Sequence, residues 1–381
     1  MRRILLFLLA SPLYLAVGTD AQILPDTPPS VAVQVYSQSW DIESDGATST
    51  IQQSVVPIGV YVPLADGLEA RVSTSYVILS RREAGATSDD EVSGLSDLRL
   101  NLNYGRLLNG RLLLGLAIGL PTGKLELTGQ EQDVVFDFVA PDLSVRANRF
   151  SEGFNLGLTA NYAFMLSETL TLGLGAGLVG RGAYETGIPG IGEIVDLQPG
   201  SEATVTAALN YTSGPSFARF TTAVTGYGVE QINGVEAFQL GPRVQLQASF
   251  RRLFAGGAGA VMLDVQNLFQ STNSSLGSGG LVEDDFNANG NYLTLGLGAQ
   301  YQITRRITLG GSGLGRIIGA NGQDVGDSNV FEASGVLGVQ VTPAAVIDLG
   351  VRLVQGSGTG FAGEERAISG VEAFARSVIR F

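Results

Sequence analysis

Leu98-Arg99-Leu100-Asn101-Leu102-Asn103-Tyr104 sets one leucine row against a polar row. Alternation with period two is the mark of a strand with two unlike faces. After Leu108-Asn109-Gly110 the pattern resumes with Leu112, Leu114, Leu116, Ile118 and Leu120 on one face. It returns along the chain: Leu170, Leu172, Leu174, Ala176 and Leu178; Val205, Ala207, Leu209 and Tyr211; Val244, Leu246, Ala248 and Phe250. Later come Leu293, Leu295, Leu297, Ala299 and Tyr301; Phe331, Leu337, Val339 and Val341; Ile347, Leu349, Val351 and Leu353. Each apolar row is free of charge, while the opposite rows carry glycine, amides, hydroxyls and arginine.

Segments of about 9–12 residues match a tilted strand crossing a bilayer. A soluble sandwich alternates too, but in shorter segments with the apolar face turned inward. The connections separate into two kinds. Short ones are Leu64-Ala65-Asp66-Gly67, Leu108-Asn109-Gly110, Ser167-Glu168-Thr169, Ser213-Gly214-Pro215, Thr304-Arg305-Arg306 and Thr342-Pro343-Ala344. Long ones are expected at 41–50, 81–94, 121–153, 184–200, 270–289, 319–328 and 357–370. Most carboxylates fall in the long ones, Asp41, Glu43, Asp89, Asp90, Glu91 and Glu283 among them. The pattern predicts an all-β, antiparallel, up-and-down transmembrane barrel of about 16 strands (14–18), with short periplasmic turns and long acidic outer loops. Closure is the physical reason, because in hydrocarbon every backbone group needs an internal partner. The segment 121–153 is the expected constriction, folding over or into the lumen.

Composition agrees. Of 381 residues 52 are glycine, and there is no cysteine and no histidine. That excludes disulfides, thiolate and imidazole metal sites, and histidine-dependent hydrolase machinery. The net charge of −13 argues against a nucleic-acid partner. No enzyme activity and no cofactor are expected. Arg2 and Arg3, an apolar run to Val17 and Thr19-Asp20-Ala21 read as a secretory signal over 1–21. A short periplasmic segment, 22–30, then precedes one barrel domain, 31–381. The expected setting is the bacterial outer membrane, as a monomer, in contact with lipid and lipopolysaccharide. Ile379 and the terminal Phe381 resemble the signal read by the outer-membrane assembly machinery, although Ala375 stands where that signal often has an aromatic.

Candidate lumen residues are the charged members of the non-apolar rows: Arg71, Arg99, Arg219, Arg243, Arg251, Asp264, Arg316, Glu332, Asp348, Arg352 and Arg376, with Glu372 beside them. Such charges tune selectivity in pores, or pair across neighbouring strands to hold the wall. Asp285, Asn287 and Asn289 match the first half of a calcium loop, but its twelfth position is Gly296, so the chelating carboxylate is missing. Gly175, Gly177 and Gly180 fit a dinucleotide fingerprint without the helix it needs. Gly119-Leu120-Pro121-Thr122-Gly123-Lys124 is one residue short of a phosphate loop.

Gly94-Leu95-Ser96-Asp97-Leu98-Arg99-Leu100, Tyr104-Gly105-Arg106-Leu107-Leu108 and the Leu120-Pro121-Thr122-Gly123 element resemble the transporter-like outer-membrane family labelled "MetA-pathway of phenol degradation". The resemblance implies a barrel passing small, often apolar or aromatic, molecules. It carries over Asp97 and the Pro121-Thr122-Gly123 positions. A closed structural or surface-binding barrel, with acidic loops meeting cations or a partner, is the alternative.

Overall fold

The structure is a computed structural model. It describes residues 28–125, 127–138, 143, 145–146, 150–187, 194–277, 279–284, 291–320, 326–360 and 363–381. The expected signal at 1–21 and the calcium candidates Asp285, Asn287 and Asn289 lie outside these residues.

The barrel strands are β1 (Ser30–Ser44), β2 (Ala47–Ala65), β3 (Leu68–Arg82), β4 (Asp90–Leu95 with Leu98–Leu107), β5 (Leu112–Leu120), β6 (Asn155–Met165), β7 (Leu170–Arg181) and β8 (Glu202–Ser213). They continue with β9 (Ser216–Tyr227), β10 (Arg243–Phe254), β11 (Gly259–Gln270), β12 (Asn291–Gln302), β13 (Ile307–Ile318), β14 (Ser328–Thr342), β15 (Ala345–Thr359) and β16 (Glu365–Arg380). Every neighbouring pair is antiparallel, and β1 pairs with β16 from Ser30↔Arg380 to Ser44↔Arg366, so the sheet closes on itself. The two halves of β4 both pair with β3 and count as one strand, giving sixteen.

Alternation decides inside from outside. Leu178, Val205, Leu297 and Leu353 are 61%, 64%, 65% and 59% exposed, whereas Gln38, Gln53 and Glu372 are 2%, 1% and 1% exposed. The apolar rows therefore face out and the polar rows face in. Only a lipid-facing wall makes that inversion favourable.

Two expected long loops are corrected. Residues 41–50 are the tip of a continuous hairpin, because Asp45 and Gly46 both take positive φ (51° and 76°). Asp-Gly in that conformation closes a two-residue turn whose twist suits the strands. Residues 357–370 are also mostly strand, since β15 and β16 pair up to Thr359↔Glu365. The wall is consequently uneven. β2 has 19 residues and β16 has 16, while β5 has 9.

On the low side, three outer connections supply a second, six-stranded sheet. Its order is Gly280–Asp284, Asn273–Gly277, Val235–Gln239, Val229–Ile232, Ile194–Gln198, Tyr184–Gly187. Asn233-Gly234, with φ of 53° and 75°, closes its central hairpin.

Candidate functional site: the lumen and its inserted segment

With strands about 4.8 Å apart and tilted about 40°, sixteen of them enclose a backbone cylinder roughly 32 Å across. Side chains alone do not fill that width. Part of it is filled by the connection between β5 and β6.

That connection folds into the barrel. Its helix α1 (Gly129–Asp137) begins at a capping box, in which the Thr128 amide donates to Glu131 Oε2 at 2.9 Å and the Glu131 amide donates to Thr128 Oγ1 at 3.4 Å. Val134, Phe138, Leu143 and Phe150 are buried against the inward-facing Trp40, Ile51, Val55, Val77, Leu79, Val92 and Ile368. Phe138 meets Trp40 edge-on at 6.3 Å. Lys124, the chain's single lysine, pairs with Glu131. Desolvation works against the Glu131 carboxylate, but Lys124 and the Thr128 amide outweigh it and hold the carboxyl below its ordinary range. Asp137 goes the other way. Burial raises its pKa, although Arg81 Nη1 of β3 donates to it at 3.2 Å.

Arg146 is the polar anchor. Its amide donates to Gln53 Oε1 at 2.7 Å, its Nε donates to Glu372 Oε2 at 3.0 Å, and its guanidinium lies 4.4 Å from the centre of the Tyr36 ring. Glu372 also accepts from Gln38 and from Arg352 Nη2, the latter at 2.7 Å. Arg352 Nη1 reaches Glu332 Oε2 at 2.9 Å, and Arg316 Nη2 reaches Glu332 Oε1 at 3.3 Å. Charges of alternating sign thus run from β13 through β14, β15 and β16 onto the inserted segment.

Asp97 fastens both ends of the segment. It stands at the break within β4 and accepts from the Gly123 amide (3.1 Å), Ser151 Oγ (2.7 Å) and the Glu152 amide (2.8 Å). Its own amide donates to the Phe150 carbonyl at 3.0 Å, and the Leu98 amide donates to Thr122 Oγ1 at 2.9 Å. The Gly94–Asp97 and Pro121–Gly123 motifs, separate in sequence, meet in space here. A Cβ at Gly123 would collide with the Phe150 backbone, which is why glycine occupies that position.

Register places all eleven candidate charges on inward rows. Arg316, Glu332 and Arg352 belong to the ladder just described. Arg71 pairs with Glu69, which also accepts from Tyr61 and Asn103. Arg99 lies 3.6 Å from Glu152 of the inserted segment. Asp348 stands opposite Arg376. Arg219 Nε donates to Thr221 Oγ1, Arg243 lies over Tyr227, and Asp264 accepts from Gln247. Arg251 shares their wall, opposite Phe217. Ile379 and Phe381 are exposed at the short-turn end, where the Phe381 amide donates to the Pro29 carbonyl.

Sequence reasoning missed Gln38, Gln53, Glu69 and Arg146. The first three carried a signal, being polar residues in inward rows. Arg146 carried none, because its role depends on where 121–153 folds. No metal-sized cluster of carboxylates occurs among the described residues.

No protein-family model matches the sequence, and no curated protein matches it. Solved structures do match. OprB of Pseudomonas putida aligns at 10% identity over 92% of this chain and 94% of that one, with a TM-score of 0.49. The P. putida toluene transporter TodX aligns at 10% identity over 94% and 91%, TM-score 0.47. The outer-membrane channel DcaP of Acinetobacter baumannii aligns at 12% identity over 92% and 97%, TM-score 0.42.

Proposed function

We propose that this protein is an outer-membrane channel through which small molecules cross passively. The observation that carries the proposal is the mismatch between lumen and insert. Among the described residues a sixteen-stranded cylinder holds one short helix, about 10–12 Å across, and its contacts described above lie on β16 and β1 to β4. The facing wall, β6 to β12, carries small and polar groups such as Gly175, Thr159, Asn161, Thr206 and Gln247, interspersed with Arg219, Arg243, Arg251 and Asp264. Room for solute lies between the insert and that wall. Monomeric assembly, lipopolysaccharide contact and delivery by the assembly machinery through Ile379 and Phe381 belong to the same proposal.

The finer reading concerns the solute. An apolar or aromatic class is supported by the motif resemblance at Asp97 and Pro121–Gly123. Inward aromatic side chains on the facing wall add support, Phe217 and Tyr227 of β9 among them.

Single-channel recording of the refolded protein in a planar bilayer tests the proposal, on the full chain and on a variant lacking 126–149. Stable steps of nanosiemens order from the full chain, larger in the deletion, are expected. Insertion without conductance in both would favour the closed, surface-binding barrel instead.

A further inference from the structure

The chain carries a net charge of −13, yet arginine dominates its inner wall. On the insert-bearing side the charges are spent on one another. Arg316, Glu332, Arg352, Glu372 and Arg146 form a single run of ion pairs. The open side differs. Arg219 of β9, Arg243 and Arg251 of β10 and Asp264 of β11 sit on adjoining inward rows. Arg243 has the Tyr227 ring at 5.7 Å and, among the described residues, no carboxylate in contact. Among the same residues Arg251 has no carboxylate in contact either, and its buried Nε has no hydrogen-bond partner. Asp264, the carboxylate of this group, is engaged by Gln247 and not by an arginine.

We infer that the open half of the lumen selects anions, so that the preferred solutes carry a carboxylate or similar anionic group. This rests on the channel reading above and narrows its substrate class. The register explains why the arginines are not neutralised. Arg251 stands opposite Phe217 on β9 and Met262 on β11, and Arg243 stands opposite Thr225 and Gln270. Neither has an acidic partner directly across the ladder, where a neutralising pair would sit. Arg243 lies toward the outer end of β10 and Arg251 toward the short-turn end, so the positive field extends along the passage.

The acidic outer loops pull the other way and must be weighed. Asp41, Glu43, Asp89 and Glu91 sit at the rim, outside the narrow passage. At 0.1 M salt a charge is felt over about 10 Å, so an ion inside the passage senses wall arginines and is screened from the rim. At about 7 Å, with that screening, one arginine favours chloride over potassium by roughly threefold. Two such residues give roughly tenfold. The wall therefore wins inside, while the rim sets only the ion concentration at the mouth.

The test is a reversal-potential measurement on the full chain in a planar bilayer, across a potassium chloride gradient. Wild type is expected to prefer chloride. The double substitution Arg243→Gln/Arg251→Gln is expected to lower the chloride-to-potassium ratio by roughly five- to tenfold. Asp264→Asn is expected to raise it, and Arg82→Gln, at the outer rim, to leave it within experimental error. Because glutamine at either arginine leaves the outward rows untouched, barrel formation is checked independently by heat-modifiable gel migration. Conductance with potassium preference, or a reversal potential unmoved by the double substitution, would overturn the inference and leave the channel standing. Absence of any conductance would overturn the channel reading and the inference with it.

Discussion

Replacing Glu372 with glutamine should loosen the inserted segment without disturbing the barrel. Glu372 is 1% exposed and is the carboxylate that Arg146 grips with its guanidinium. The variant leaves the Arg146 and Arg352 side chains, 5% and 6% exposed, facing each other with no negative charge between them. Removing one partner of a buried pair costs about 3–5 kcal/mol. Arg352 keeps Glu332, so the loss falls mainly on Arg146. At about 1.4 kcal/mol per tenfold, transient release of the segment becomes roughly two to three and a half orders of magnitude more frequent. It does not become the resting state. Val134, Phe138, Leu143 and Phe150 remain buried, at about 1.5–3 kcal/mol each, or about 6–12 kcal/mol together. Adding Phe138→Ala removes about 3–5 kcal/mol more and should raise the open population by roughly another two to three and a half orders of magnitude. Trypsin reads this directly, because Arg146 is a cleavage site only once its side chain leaves Glu372. When opening and closing are fast, the cleavage rate follows the open population. Mass spectrometry should show slow cutting after Arg146 in wild type, faster cutting in Glu372→Gln and fastest in the double variant. Glu332→Gln, which touches only wall arginines among the contacts described, should cut at the wild-type rate. A Glu372→Gln rate within twofold of wild type would refute the reasoning.

Asp97→Asn should weaken both ends of the same segment by about 1.5–3 kcal/mol, since it removes the charge that accepts from the Gly123 and Glu152 amides and the Ser151 hydroxyl; hydrogen exchange at the two amides checks it. Gly46→Val forces a β-branched residue to φ near 76° and should cost about 1–2 kcal/mol, read as a lower midpoint in urea-titrated folding into lipid vesicles. Leu297→Arg, in the middle of the outward row of β12, should cost about 2–4 kcal/mol in that titration, and a neutral outcome would place that row away from lipid. The two titratable groups of the segment act in opposite directions. Glu131, held below its ordinary pKa, stabilises the insert at neutral pH, and that contribution fades as pH falls through its folded value. Asp137, held above its ordinary pKa, favours the insert in acid and loses that contribution as pH rises through its folded value. Acidification should therefore loosen the segment less in Glu131→Gln and more in Asp137→Asn than in wild type, read as hydrogen exchange at the Arg146 amide.

The wall was legible in the sequence because one physical constraint writes it. A lipid-facing row tolerates no charge, so the rows from Leu98 to Leu353 state both the strand and its face. Parity likewise put Arg243 and Asp348 on the rows opposite the apolar ones. Pairing was not legible. Arg352 meets Glu372 because β15 and β16 hold one particular register, and parity does not fix register. The Asp45-Gly46 and Asn233-Gly234 turn signals were present, but acidic neighbours made the first read as an extended loop. The insert was half legible. Thr128 and Glu131 spell a helix start, and the length of 121–153 marks it as more than a turn. Its docking on Trp40 and Glu372 depends on residues about a hundred and more than two hundred positions away. Local chemistry holds no trace of that contact.

The docking surface of the insert has one more consequence. Glu372 belongs to the last strand, while Tyr36, Gln38 and Trp40 belong to the first, and the segment binds both at once. It therefore bridges the seam at which the cylinder is zipped shut. The complete surface exists only once β1 and β16 have met, so the contact of Arg146 with Glu372 requires a closed cylinder. Once made, it rivets the seam. Prising the first and last strands apart then also requires breaking the grip of a buried arginine on Glu372, beyond the ladder of hydrogen bonds between the two strands.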